Sequence, residues 1–291
     1  PDTTPWIIGA VEAVLVGYCL LGGGKRVIKA TSTLVPLMGI IYISVAFILT
    51  IMHINLVPGV VGRIFAEAFD FSAIFGGFAG SCMMFGIKRG LYSNEAGVGS
   101  APNAAAAADV SHPVKQGLVQ MLSVFIDTLL ICTATAFMCL SSGIEPTKEL
   151  AGAPYVQAAL AASMGDYAKL FITVSMVLFA FTTLLGNLYY VDNAFAYVLK
   201  HVPGKTFTLC YRILACVLIF IGAGSSMGTM WDLADVTMGF MAIINLPVIC
   251  ILGGPALRAL DDYTEQRNAG KNPEFKASKI GLTQKLDYWQ D

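Results

Sequence analysis

The chain has 291 residues, of which 56% are hydrophobic and only 13% charged, with a formal net charge of −1. Soluble domains carry about 25% charged residues, so composition sets aside a water-soluble globule in favour of a membrane protein. A net charge near zero supplies no field that would gather nucleic acid.

A membrane helix needs about 20 mostly apolar residues. The stretches that qualify, in chain order, are Trp6–Leu21, Leu34–Ile54, Phe71–Ile87, Gly117–Leu140, Ala168–Leu199, Phe207–Ala223 and Ala234–Leu252, so about seven transmembrane helices are expected. After the second, "VPGVVGRIFAEAF" carries apolar residues at helical spacing and reads as a helix lying in the interface. After the fourth, "APYVQAALAASMG" reads as a short helix beginning after Pro154. Beyond Asp261 the chain is polar and is read as solvated. The division expected is a transmembrane domain over 1–254 and a polar cytoplasmic tail over 255–291. The chain opens on Pro1, without a basic n-region or a small-residue cleavage site, and is expected to be the C-terminal part of a longer protein.

Orientation follows from Lys and Arg in the short loops. Of the 18 such residues, Arg63, Lys148 and Lys169 fall in one set of loops and the rest in the alternate set. Lys88 and Arg89 are counted with that richer set, at the end of the third span. The rule puts the richer side, and Asp291 with it, in the cytoplasm of a multi-pass cell-membrane protein. The seven cysteines show no C-x-x-C pair and read as small buried hydrophobes. Nothing in the spacing of His53, His112 and His201 points to zinc.

Polar residues at membrane depth are the informative ones. Irregular backbone there must line protein or water, because lipid satisfies no hydrogen bond. "GIKRGLYSNEAGVGSAP" places Gly90, Gly97 and Gly99 among Ser93, Asn94, Glu95 and Ser100, before Pro102 and "NAAAAAD". Ser100 can cap a helix with Pro102 near its first position. The pattern is helix, unwound segment, short helix. Such breaks bind cargo and ions in secondary transporters, yet a cytoplasmic loop capping the next helix gives the same spacing. Glu12, Asp127 and Asp192 lie inside spans and should face protein or water, since each costs about 2.5–3.5 kcal/mol at a helix centre. Asp127, flanked by Phe125, Ile126, Leu129 and Leu130, is the deepest; Glu12 reads as a hydrogen bond to a neighbouring helix. Thr182 and Thr183 are adjacent hydroxyls in an apolar run, with Asn187 one turn beyond. A lone membrane threonine usually bonds its own i−4 carbonyl; a pair offers oxygens to a hard cation.

The motif "GIKRGLYSNEAGVGSAPNAAAAAD", with "HPVKQG", "FIDTLLICTATA" and "GGGKRVIKATSTLVPLM", closely resembles the signature of the alanine or glycine:cation symporter family, the sodium:alanine symporters. The resemblance covers nearly all of Trp6–Gly254. It implies an all-α, LeuT-type (APC superfamily) core of two inverted five-helix repeats, here incomplete. It implies sodium-coupled symport of a small neutral amino acid, alanine or glycine, by alternating access. Sodium would be the coupling ion and no organic cofactor is implied, nor is the chain an enzyme. The first broken helix would belong to the part that precedes Pro1. Carried over by position, Tyr92, Ser93, Asn94, Gly97 and Asn187 would line the substrate site. Gly90, Glu95, Gly99 and Asp127 would be gate or conformational residues, and Thr182 and Thr183 would hold sodium. One departure stands out: family members often carry tryptophan after Gly186, where this chain has Asn187. A cation-coupled transporter of another small substrate, or an ion channel with a charged or carbonyl-lined pore, is the alternative.

Overall fold

The computed structural model describes residues 3–69, 82–147, 150, 152–283, 286, 288 and 289, and all regular elements among them are helices. In chain order these are α1 (Thr4–Leu21), α2 (Gly24–Met52), α3 (Val57–Ala68), α4 (Cys82–Asn94), α5 (Ala101–Ala105), α6 (Pro113–Leu140), α7 (Ala153–Met164), α8 (Tyr167–Leu199), α9 (Lys205–Ala223) and α10 (Met227–Asn268). Among the described residues, α1, α2, α6, α8, α9 and α10 are long and apolar enough to cross a membrane. Most of the remaining predicted span, Phe71–Ile87, lies outside the described residues.

Helix ends differ from expectation where polar residues misled it. α2 starts at Gly24 rather than Leu34 because its hydroxyls turn inward on the backbone. Thr31 donates to the Val27 carbonyl at 3.0 Å and Thr33 to the Lys29 carbonyl at 3.0 Å, which hides their polarity within the helix. α10 runs through Gly253, Gly254 and Pro255 to Asn268, 42 residues in all. Its Ala259, Asp262, Tyr263 and Gln266 follow at i, i+3, i+4 and i+7, forming one stripe down the extension.

That stripe corrects the solvated tail. Phe275, Ala277 and Ile280 are buried against Ala259, with Val114, Leu282, Leu286 and Trp289 packed around them. The polar composition of the tail concealed its few apolar anchors.

Two clusters hold the membrane helices together. Tyr42, Ala46 and Leu49 of α2 meet Met138, Leu160, Ala168 and Ile172. Val16, Cys19 and Leu20 of α1 meet Val27 and Leu185. α1 also lies close along α9: a Cβ on Gly9 would come within 2.4 Å of the Ala223 Cβ, so only glycine fits there. In lipid, packing of this kind rests on close approach and dispersion rather than on exclusion of water. The large apolar side chains that remain exposed, such as Ile243, Ile244 and Ile251 on α10, belong with hydrocarbon rather than water.

α10 also serves as a ruler, at 1.5 Å rise per residue. Asp235 near its start contacts α4, Asn245 contacts the unwound segment, and Asp262 contacts Lys279 of the tail. Those levels are about 15 Å and about 25 Å apart along the helix. Asn245 sits close to the middle of the apolar stretch Ala234–Leu252.

Candidate functional site

Helix α4 stops at Asn94 and α5 starts at Ala101, leaving Glu95–Ser100 without helical hydrogen bonding. The stop is local chemistry. The Asn94 side-chain oxygen accepts the Ala96 N–H at 3.0 Å, an Asx turn that competes with the helix. Glu95 then adopts φ 54° and Gly99 φ 94°, both left-handed. Ser100 does not cap α5 with its hydroxyl, as the sequence predicts; it donates to the Glu95 carboxylate instead, folding the segment back on itself.

Two carbonyls at the break accept from amides of the long helices. Gly97 O accepts from Asn245 Nδ2 of α10 at 3.1 Å, and Asn103 O accepts from Asn193 Nδ2 of α8 at 2.9 Å. Neither asparagine stands out in the sequence, since each is one amide in a long apolar helix. Asn245 fixes the break at the level of the apolar centre of α10.

An open-sided cavity of about 550 Å³ lies beside the break. Two stripes at helical spacing face it. Gln120, Ser123, Val124, Asp127 and Ile131 come from α6; Phe179, Thr182, Thr183, Gly186, Asn187 and Tyr190 come from α8. Ser93, Asn94 and Glu95 close it from the end of α4, with Val35 and Met38 of α2. The Ser93 hydroxyl donates to Asp127 Oδ2 at 2.7 Å, and Asn94 Nδ2 donates to Thr128 Oγ1 at 3.2 Å. Asp127 sits where α6 winds as a π-helix, Ile126–Cys132, a distortion frequent at functional sites. The Thr182 hydroxyl proton goes to the Leu178 and Phe179 carbonyls, at 3.0 and 3.2 Å, which leaves its oxygen lone pairs for a cation.

The structure therefore brings together Ser93, Asn94, Glu95, Asp127, Thr182, Thr183 and Asn187. Tyr92 lies apart from them: it packs edge-on to Trp231 at 5.3 Å. Gly97 is buried under Leu91 and Leu246, Gly99 lies against Asn245, and Gly90 faces open space. Gln120, Ser123 and Tyr190 were not singled out from the sequence, although they continue the two stripes.

The remaining charges sort out differently from expectation. Arg89 makes a two-point contact with Asp235, at 3.0 and 3.3 Å, and lies 4.1 Å over the Trp231 ring. Lys88 Nζ is 3.6 Å from Asp235. Asp235 and the tail-bound Asp262 are about 40 Å apart along α10, so Lys88 and Arg89 lie at the end away from the tail. Counting them with the tail-side loops is thus corrected, because α4 continues past them to the break. Asp192 is held by Arg212 at 2.9 Å, and Arg212 also donates to Leu20 O. Glu12 is buried, and among the described residues neither of its carboxylate oxygens has a hydrogen-bond partner, so the expected interhelical bond is not found among them.

The sodium:alanine symporter family model matches residues 2–277. The chain belongs to the sodium:alanine symporter family. Among curated relatives it is 42% identical to the amino-acid carrier protein AlsT of Bacillus subtilis, across 98% of this chain and 60% of that protein. It is 40% identical to the probable sodium/glutamine symporter GlnT of the same organism, across 97% and 58% respectively. It is 38% identical to the sodium/alanine symporter AgcS of Methanococcus maripaludis, across 92% and 59%. The chain thus spans about three fifths of the length of these family members.

Proposed function

We propose that the chain forms the greater part of a sodium-coupled symporter for a small neutral amino acid, alanine or a close analogue. The observation that carries this reading is the cavity at the helix break. A break held at membrane depth, two carboxylates and a pair of threonine hydroxyls share one wall system. Sodium, a hard cation, suits the oxygens of Thr182 and Thr183. Asp127 and Glu95 offer negative charge for a cation or an ammonium group. The amides of Asn94, Asn187 and Gln120 offer donors for a carboxylate. A cavity of this size falls within the range of small-molecule sites, and the opposing walls come from α4, α6 and α8.

In this reading the core is LeuT-type and works by alternating access, with the α4–α5 break as the second of its broken helices. The tail faces the cytoplasm: with Lys88 and Arg89 moved to the other end, most basic residues still gather at the tail end. Each sodium carried inward then gains about 2.3 kcal/mol per 100 mV of membrane potential. Relatives at similar identity are named for alanine and for glutamine, so the side-chain pocket around Asn187 sets the choice. The test is uptake of labelled alanine and glutamine into proteoliposomes carrying the full-length protein. Saturable uptake that stops when choline replaces sodium is expected. Sodium-independent uptake, or single-channel currents, would overturn the reading.

A further inference from the structure

The tail beyond α10 is built to one place. Phe275 N–H donates to Ser111 O at 3.0 Å and Ser111 Oγ to Pro273 O at 2.8 Å. Lys115 Nζ donates to Asn272 Oδ1 at 2.6 Å, and Trp289 Nε1 to Val110 O at 3.3 Å. On the other side, Gln266 of α10 exchanges two hydrogen bonds with the Glu274 backbone, at 2.9 and 3.0 Å. Arg258 donates to Ile280 O at 2.9 Å. The described tail residues, Lys271–Thr283 with Leu286 and Trp289, therefore form a strap. It fastens the connection Val110–Lys115, which follows the second half of the broken helix, to the extension of α10.

His112 is the centre of this joint and is fully buried. Tyr263 and Phe275 lie edge-on to its ring, at 5.2 and 5.1 Å. Its Nδ1 accepts the Val114 N–H at 3.2 Å and so caps the N-terminus of α6. Its Nε2 lies 3.3 Å from Asp262 Oδ2. Both contacts are satisfied by one form only, the neutral ring with its proton on Nε2. A second proton on Nδ1 would point at the Val114 N–H.

We propose that the strap is a proton-sensitive latch, docked while His112 is neutral and released when the tail side acidifies, which frees the Val110–Lys115 connection from α10. The charged and titratable groups facing the ring are Asp262 and Tyr263 from α10, Lys279 from the strap and Lys115 from α6. Burial is the largest influence and lowers the affinity of the ring for a proton; Asp262 opposes it, and Lys115 and Lys279 add to it. The sign follows. A histidine whose pKa is lower when docked holds the strap fully above its ordinary value near 6.5, and the docking weakens as pH falls below that value.

The test is hydrogen exchange on the full-length protein in lipid nanodiscs, from pH 7.5 to 5.5, corrected for intrinsic rates. Between pH 7.5 and 5.5, one unit below the ordinary value, protection of the Phe275 and Val114 amides should fall by up to about tenfold. In His112→Gln the same amides should show no such fall. Because that variant can misfold, Asp262→Asn is the second. It removes the carboxylate that offsets a buried imidazolium, and should move release toward neutral pH. A protein shortened after Gly270 should lose the part of the transport pH dependence that the latch contributes. Unchanged protection of both amides at pH 5.5 in the unaltered protein, or a fall that persists in His112→Gln, would overturn the latch.

Discussion

Gly99→Ala is the sharpest perturbation of the helix break. Gly99 has φ 94°, where an alanine is strained by about 1–2 kcal/mol. Its new Cβ would lie 2.7 Å from Asn245 Cγ and 2.8 Å from Oδ1. The asparagine side chain must then swing away, which breaks its 3.1 Å bond to Gly97 O. Leaving that carbonyl unpaired at membrane depth adds about 1–2 kcal/mol. The held conformation should lose about 2–4 kcal/mol, or roughly 30- to 1,000-fold in population. The assay is sodium-driven uptake by full-length protein that still elutes as folded material in detergent. Gly90→Ala is the control, since nothing lies near its Cβ position and alanine favours a helix by about 1 kcal/mol. Uptake by Gly99→Ala within twofold of the unaltered protein would refute the argument that Asn245 and Gly99 fix the break.

Thr183→Ala should raise the sodium concentration for half-maximal uptake by about fivefold to tenfold, equivalent to one lost oxygen ligand of about 1–1.5 kcal/mol; an unchanged sodium curve removes Thr183 from the ion site. Asn187→Trp should narrow the pocket and shift competition toward glycine over glutamine, by the roughly 1–3 kcal/mol available to steric selection; an unaltered substrate profile places residue 187 outside the pocket. A cysteine at Lys88, in a protein lacking its native cysteines, should react with an impermeant thiol reagent from the side opposite the tail. Reaction from the tail side would contradict the two levels read along α10.

Much of this was legible because the physics was local. The helix–break–helix pattern is written in Asn94 and Gly99, and the short helices α3 and α7 in their apolar runs. Thr182, Thr183 and Asn187 were found as polar residues in an apolar run, yet the stripe that includes Tyr190 needed the helical register to be taken further. Where the sequence reading failed, a partner distant in the chain decided the outcome. Lys88 and Arg89 read as the tail-side end of the third span because nothing near them announces Asp235. Asn245 reads as a stray amide until Gly97 O is placed against it. The tail reads as solvated because Phe275 and Ile280 are few among polar residues, and their partners on α10 and at Val114 are remote.

The central claim is that cargo is handled at the unwound segment beside Asn94 and Glu95. The most direct measurement is the modification rate of a cysteine at Ala101, which lines the cavity at the start of α5, in full-length protein otherwise free of cysteine. Alanine together with sodium should slow that reaction strongly, while either alone slows it less. A rate indifferent to both, in a preparation that binds alanine and sodium normally, would place the cargo elsewhere.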